Sequence, residues 1–150
     1  MDYQLAQVNI AKFRLPPEHP VNAGFMDNLD RVNAIAETQA GFVWRFTGEG
    51  NDAVDVQVYE DPNIALNMSV WSDIPSLMDF VYKNDDHKEI MRKRKEWFDK
   101  IDFHMVLWWI EAGRRPTAEE AKIRLELLRL TGPSYSAFTF RKAFPSPKPG

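Results

Sequence analysis

The chain opens on an alternation of period two: Ala6, Val8 and Ile10 against Gln7, Asn9 and Ala11. That is the pattern of a strand whose two faces meet different surroundings, and it predicts strand one over Leu5 to Phe13. Leu15-Pro-Pro-Glu-His-Pro20 is a loop by its prolines. The period then lengthens. Phe25, Leu29, Val32 and Ala36 fall on one stripe of a helix from Ala23 to Thr38, with Asp27, Asp30, Arg31 and Glu37 facing away. Gly41 marks the break after it. Phe42 to Thr47 reads as strand two, Gly48 to Asp52 as a turn, Val54 to Val58 as a possible strand, and Asp61-Pro62-Asn63 as a further turn. Alternation returns in strand three, Ala65 to Trp71, where Leu66, Met68 and Val70 oppose Asn67, Ser69 and Trp71.

Ser72 or Asp73 caps a helical piece that runs through Tyr82. Lys83 to Asp86 interrupts it, and a second piece extends from His87 to about Asp99. Phe103 to Ile110 is strand four. Thr117 and Glu120 form a capping-box pattern at the start of another helix, which Gly132-Pro133 ends. Ala137 to Lys142 reads as a last short strand. The order β-α-β-β-α-β is the ferredoxin-like α+β plan, here with an appended C-terminal helix and short strand. Residues 1–143 form one domain, and the Pro-rich stretch 144–150 reads as a flexible tail.

Strand four is apolar on both sides: Phe103, Met105, Leu107 and Trp109 on one, Val106, Trp108 and Ile110 with His104 on the other. A sheet with helices on one face leaves its other face wet unless something covers it. Two covers are available. The favoured one is a second copy of the chain, giving a dimeric α/β barrel whose interface buries Trp108 or Trp109; the alternative is the extra helix, Thr117 to Thr131, folding back. Strands one and three also carry a mixed row, Gln7, Asn9, Asn67, Ser69 and Trp71. Strand two adds Trp44 with Phe46, or Arg45, depending on register. Amides among tryptophans suit a small-molecule cavity, which needs apolar walls and a few orienting polar groups; they also suit mutual hydrogen bonding.

The helix from His87 carries two charges out of place. At about 100° per residue, His87, Ile90, Met91, Arg94, Trp97 and Phe98 share one stripe. A guanidinium on a core-facing stripe needs a partner, because its desolvation costs several kcal/mol. Arg94 therefore pairs with an internal carboxylate or amide, or faces a cavity that takes an anionic or carbonyl ligand. His87 is either a surface residue at the helix start or an acid/base group.

Composition removes several function classes. A net charge of −3 gives no footing for nucleic acid. The absence of Cys rules out disulfides and a Cys nucleophile, and agrees with a cytoplasmic location. No apolar run approaches a membrane span, and no signal-peptide pattern precedes Leu5. His19, His87 and His104 lack metal-ligand spacing. No nucleophile elbow, Walker loop or dinucleotide fingerprint occurs. No metal or cofactor is expected.

Several stretches together resemble the family catalogued as domain of unknown function 3291. They are Leu5-Ala-Gln-Val-Asn-Ile10, Gly41-Phe-Val-Trp-Arg45, Asn67-Met-Ser-Val-Trp-Ser72, Phe80-Val-Tyr82, His87 with Arg94-Lys-Glu-Trp-Phe98, and Leu107-Trp-Trp-Ile-Glu-Ala-Gly113 through Pro116-Thr117. The resemblance implies the dimeric α/β-barrel superfamily, which includes antibiotic-biosynthesis monooxygenases, often cofactor-free, and heme-degrading enzymes. Asn9 and Trp71 match two positions that heme-degrading members use. The third, a His on the following helix, fails: His87 lies about one turn early and Met91 is nearest. The expectation is a homodimer that binds a small aromatic or carbonyl-containing molecule, as a cofactor-free monooxygenase, cyclase or isomerase. The alternatives are a non-catalytic ligand-binding or accessory dimer and, less favoured, a heme protein. The candidate catalytic residues are His87 and Arg94; the candidate substrate-binding residues are Asn9, Trp44, Asn67, Trp71, Tyr82, Trp97 and Trp109.

Overall fold

The computed structural model describes residues 2–15, 20, 33–46, 64–83, 98–99 and 105–147. Most of the predicted first helix, the Val54–Val58 strand and the helix from His87 up to residue 97 lie outside the described residues. Within them, five strands are present: β1 (Tyr3–Phe13), β2 (Phe42–Arg45), β3 (Ile64–Trp71), β4 (Phe98–Asp99) and β5 (Met105–Glu111). The helices are α1 (residues 33–37), α2 (Ile74–Lys83) and α3 (Ala118–Thr131).

β1 lies inside the sheet. It pairs antiparallel with β3 from Leu5↔Trp71 to Lys12↔Ile64 and, on its other edge, with β5 from Tyr3↔Glu111 to Asn9↔Met105. β2 pairs antiparallel with the outer edge of β3. The order β2-β3-β1-β5 is that of a ferredoxin-like sheet. β4 corrects the sequence reading, which placed Phe98 and Asp99 in a helix. β1 is 11 residues long, and β5 reaches only as far as Asn9. Phe98 and Asp99 pair with Phe13 and Lys12, meeting main-chain groups that an unpaired strand edge leaves open.

Period two sorts the side chains onto two faces. Ala6, Val8, Leu66, Met68, Val70, Val106, Trp108 and Ile110 form one apolar face, and α3 lies over it through Ala121, Leu125 and Leu128. Trp108 is 1% exposed within the single chain, and its indole N–H donates to Glu120 at 3.1 Å. The second, apolar side of the fourth predicted strand is thus covered by the chain's own appended helix. Of the two covers considered, the helix is the one observed, and Trp108 needs no second copy to bury it.

The termini of α3 follow the sequence signals. Thr117 is the N-cap, its side chain accepting from the Glu120 N–H at 3.1 Å. The Glu120 carboxylate leaves the capping box to accept from Trp108 and from Arg114, the latter at 2.7 Å. Gly132, at φ 76°, closes the helix with its N–H on the Leu128 carbonyl. On the outer side of the helix, Arg129 holds the Glu126 carboxyl below its ordinary value through a direct hydrogen bond.

The opposite face gathers Leu5, Trp71, Leu107 and Phe138 with Ala36 of α1 and Leu77 and Phe80 of α2. Asp73 caps α2 by accepting from the Ser76 N–H at 2.9 Å. The expected C-terminal strand reduces to a bridge, Leu107↔Phe138, with both backbone bonds made. Packing extends past it through Phe144, whose ring meets that of Phe138 edge-on at 5.7 Å.

Gly41 ties β2 to the start of α2. Its carbonyl accepts from the Ser72 N–H at 2.7 Å, and a Cβ there would collide with the Ser76 side chain. Gly41→Ala is expected to cost about 1–3 kcal/mol by forcing α2 away from the sheet, read as a lower urea midpoint at unchanged slope. Glu120→Leu strands the buried Trp108 N–H, and the same measurement should show a loss of about 1–3 kcal/mol.

Candidate functional site

On the face shared with α1 and α2, side chains line up across the strands in rows. Phe42, Trp71, Leu5 and Trp109 form an aromatic and aliphatic row. The next row is Arg45, Ser69, Gln7 and Leu107, and the one after it Asn67, Asn9 and Met105. Neighbours across a row lie about 5 Å apart and rows about 7 Å apart. A band of polar groups therefore crosses the middle of a sheet face whose end is sealed by aromatics.

A bulge puts Arg45 in this band. The β2–β3 register shifts between Phe42 and Trp44, so Phe42 and Arg45 fall on the helix side. Val43, Trp44 and Phe46 pack on the α3 side. Arg45 is 7% exposed at its side chain and reaches the last turn of α1, where Nε and Nη2 donate to Glu37 Oε1 at 3.1 and 2.9 Å.

The band is knitted laterally. Gln7 Nε2 donates to Asn67 Oδ1 at 3.1 Å and to Ser69 Oγ at 2.7 Å. Trp71 Nε1 donates to the same hydroxyl oxygen at 2.8 Å. With both acceptor sites of Ser69 used, its O–H is left to donate. Two buried atoms stand outside this network: Asn9 Oδ1 and Asn33 Nδ2 have no hydrogen-bond partner among the described residues. Asn33 lies three residues before Ala36 and so shares the side of α1 that meets the sheet. A buried polar group without a partner costs about 1–3 kcal/mol, and here one acceptor and one donor are in that state.

The sequence-predicted residues separate in space. Asn9 and Asn67 are cross-strand neighbours in the band. Trp71 is core: Phe80 stacks on it and Phe42 meets it edge-on, each at 5.5 Å. Trp109 is half-buried and donates to the Phe144 carbonyl at 2.9 Å. Tyr82 stands on the outside of α2, 55% exposed, with Phe140 at its edge. Trp44 is on the opposite face, under the Arg115 guanidinium at 5.6 Å, so it shares no wall with Asn9. His87, Arg94 and Trp97 lie outside the described residues. Gln7, Ser69, Asn33, Arg45 and Glu37 are not among the residues that the sequence singles out as candidates. The first two were visible in the mixed alternation, whereas Arg45 depends on a bulge that alternation does not announce.

Trp71 does not suit a heme wall, because its ring is enclosed and its N–H is committed to Ser69. Among the described residues, no group of three His, Cys, Asp or Glu side chains is placed to hold a metal ion. No helix among them is long and apolar enough to cross a membrane. A separate shallow cleft of about 380 Å³ opens at the start of β1, lined by Asp2, Tyr3, Gln4, Ser72, Ala112, Ser146 and Pro147.

The family described as a domain of unknown function (DUF3291) matches residues 4–149. The chain belongs to the DUF3291 family. Among curated proteins, none matches this DUF3291 chain in sequence. Solved structures do. A conserved protein of Methanosarcina mazei is 18% identical over 72% of this chain and 91% of its own, with a TM-score of 0.50. A Pseudomonas aeruginosa protein is 13% identical over 77% and 98%, with a TM-score of 0.52. The Streptomyces nogalater protein SnoaB, described as a cofactor-independent oxygenase, is 17% identical over 79% and 98%, with a TM-score of 0.49. At these identities the likeness is one of fold, and it agrees with the ferredoxin-like sheet of the DUF3291 chain.

Ser69→Ala removes the acceptor of both Gln7 and Trp71 without adding bulk. It is expected to cost about 2–4 kcal/mol, since two buried donors lose their partner together. Gln7→Leu should cost less, because it removes a donor along with its bonds. Urea unfolding of both variants checks the order.

Proposed function

We propose that the polar band between the sheet and its helices is a small-molecule site, and that the chain is a cofactor-free monooxygenase, cyclase or isomerase acting on an aromatic or polyketide-like substrate. The observation that carries the site is Asn9 Oδ1, a buried acceptor without a donor beside the bonded network of Gln7, Asn67 and Ser69. A ligand hydroxyl or N–H supplies the missing bond. Asn67 and Ser69 flank the position, and the neighbouring aromatic row gives an apolar end. The family resemblance suggests the reaction class. Chemistry of that class passes through a phenolate or enolate, which a preorganised cation stabilises. The roles assigned from sequence, Arg94 as that cation, His87 as the group that moves the proton and Trp97 as a wall, belong to the proposal and go into its test. So does a homodimer, with a contact other than the Trp108 face.

A second reading, a non-catalytic binding dimer, is favoured by the band itself: Gln7, Asn67 and Ser69 are uncharged and bonded to one another. Binding and turnover separate the two readings. Naphthol should quench tryptophan emission of the wild type, and Asn9→Leu should weaken that binding about tenfold, the equivalent of one hydrogen bond to a buried acceptor. Equal affinity in Asn9→Leu removes the site. If His87→Ala and Arg94→Ala bind naphthol normally but lose oxygen uptake or product formation, the enzyme reading holds. Binding without turnover in the wild type itself leaves the binding module.

A further inference from the structure

The outer side of α3 is apolar where a solvated helix face is ordinarily polar. Ile123 and Leu130, at 66% and 67% exposure, are the two most exposed large apolar side chains among the described residues. Seven positions apart, they stand two turns from each other, about 10 Å, and within about 20° of one line along the helix. That line lies opposite Ala121, Leu125 and Leu128, which hold α3 on the sheet. Leu127, partly buried, borders it. Single exposed aliphatic residues are ordinary. A row of them on a helix whose other side is already packed is a surface for a second body. Charge says which body. The first turn of α3 is acidic, with Glu119 and Glu120, and the last turn carries Arg129. At about 100° per residue, Glu119 and Arg129 fall on the same side of the apolar row. A second α3 laid antiparallel brings the acidic end of each helix toward the basic end of the other and opposes the two macrodipoles, whereas a parallel copy sets like ends together.

We infer that the outer face of α3 is a homodimer surface, occupied by α3 of a second copy in an antiparallel two-fold contact. This rests on the homodimer in the reading above and gives it a face; it does not depend on the small-molecule site. The apolar sheet face cannot serve, because α3 itself lies over it. With the two-fold axis near Glu126, Ile123 of each copy seats between Leu127 and Leu130 of the other. Glu119 then comes within about one turn of Arg129 in the second copy, a span that two long side chains bridge. Glu126 faces its own equivalent near the axis, but Arg129 bonds it within each chain, so no bare like-charge pair forms. The contact is isologous, as a two-fold dimer requires. One helix from each copy makes a small interface, at the low end of specific contacts, so the dimer is reversible, with a dissociation constant on the order of 10 μM.

The test is sedimentation equilibrium of the full chain from about 1 to 100 μM, a range that brackets the expected constant. Wild type should pass from monomer to dimer across it. The double variant Ile123→Gln and Leu130→Gln should weaken association about tenfold or more and leave the urea midpoint unchanged, because both side chains are exposed. The chain has no Cys, so a single introduced one reports proximity. Glu126→Cys, near the axis, should give a disulfide-linked dimer under mild oxidation. The two copies of Glu119→Cys lie about 20 Å apart, beyond disulfide reach, and should not. A dimer that ignores the double variant, or one that links through residue 119 as readily as through 126, overturns the antiparallel α3 contact while the homodimer stands. Wild type monomeric throughout removes the surface and the homodimer together. Naphthol quenching on the same samples reports the small-molecule site separately: binding that survives in the monomeric double variant leaves that reading intact whichever way the dimer falls.

Discussion

The structure hangs on β1 being buried on both faces and paired on both edges. Leu5, Ala6, Val8 and Phe13 are each nearly inaccessible, and main-chain partners run along β3 on one side and β5 and β4 on the other. A strand so placed can neither shift register nor leave a face open without losing most of the core. The appended helix α3 answers the first face with Ala121, Leu125 and Leu128. α1, α2 and the segment through Phe144 answer the second. β4 answers the end of β1 that β5 does not reach. Each addition to the four-stranded plan meets a specific requirement of this one strand.

The two faces solve burial differently. Under α3 the interior is almost wholly apolar, and its few polar atoms, the Trp108 N–H among them, are met at the rim by Glu120. Under α1 and α2 the centre of the sheet is polar, and satisfaction runs sideways from strand to strand through Gln7, Asn67 and Ser69. A face meant only for packing gains nothing from this arrangement, since replacing paired polar groups by apolar ones of the same shape is close to neutral. Keeping the band, with an acceptor unfilled at Asn9, is sensible where something else is to be recognised there.

Much of this was legible in the sequence because β1, β3 and β5 alternate cleanly, and alternation fixes which residues share a face once the strands are found. Ala6, Val8 and Ile10 fell with Leu66, Met68 and Val70, as they do in the core. The polar row was visible for the same reason. The pattern favoured a partner copy as the cover of Trp108 and the helix took that place, since both bury the same residues. Arg45 was harder. Phe42-Val-Trp-Arg45 read at period two puts Phe42 with Trp44, and the bulge breaks that period by one residue. Phe98 and Asp99 were misplaced because a helical stripe continues through Phe98 in the sequence, while the open end of β1 draws the chain into pairing.

The bulge also explains why a buried cation sits on a short strand at the sheet edge. In a regular β2, the Arg45 side chain would fall on the α3 face, beside Met68 and against a continuous apolar layer. There the guanidinium would need a carboxylate inside the core, and desolvation would outweigh the attraction between them. One extra residue turns it instead toward α1, whose last turn brings Glu37 at the boundary with water. The cation stays buried, its counter-charge stays hydrated, and the pair joins the interior band to the surface. Three local features set that asymmetry: Glu37 ends the helix, Gly41 allows β2 to press against α2, and the bulge sets the side on which Arg45 emerges.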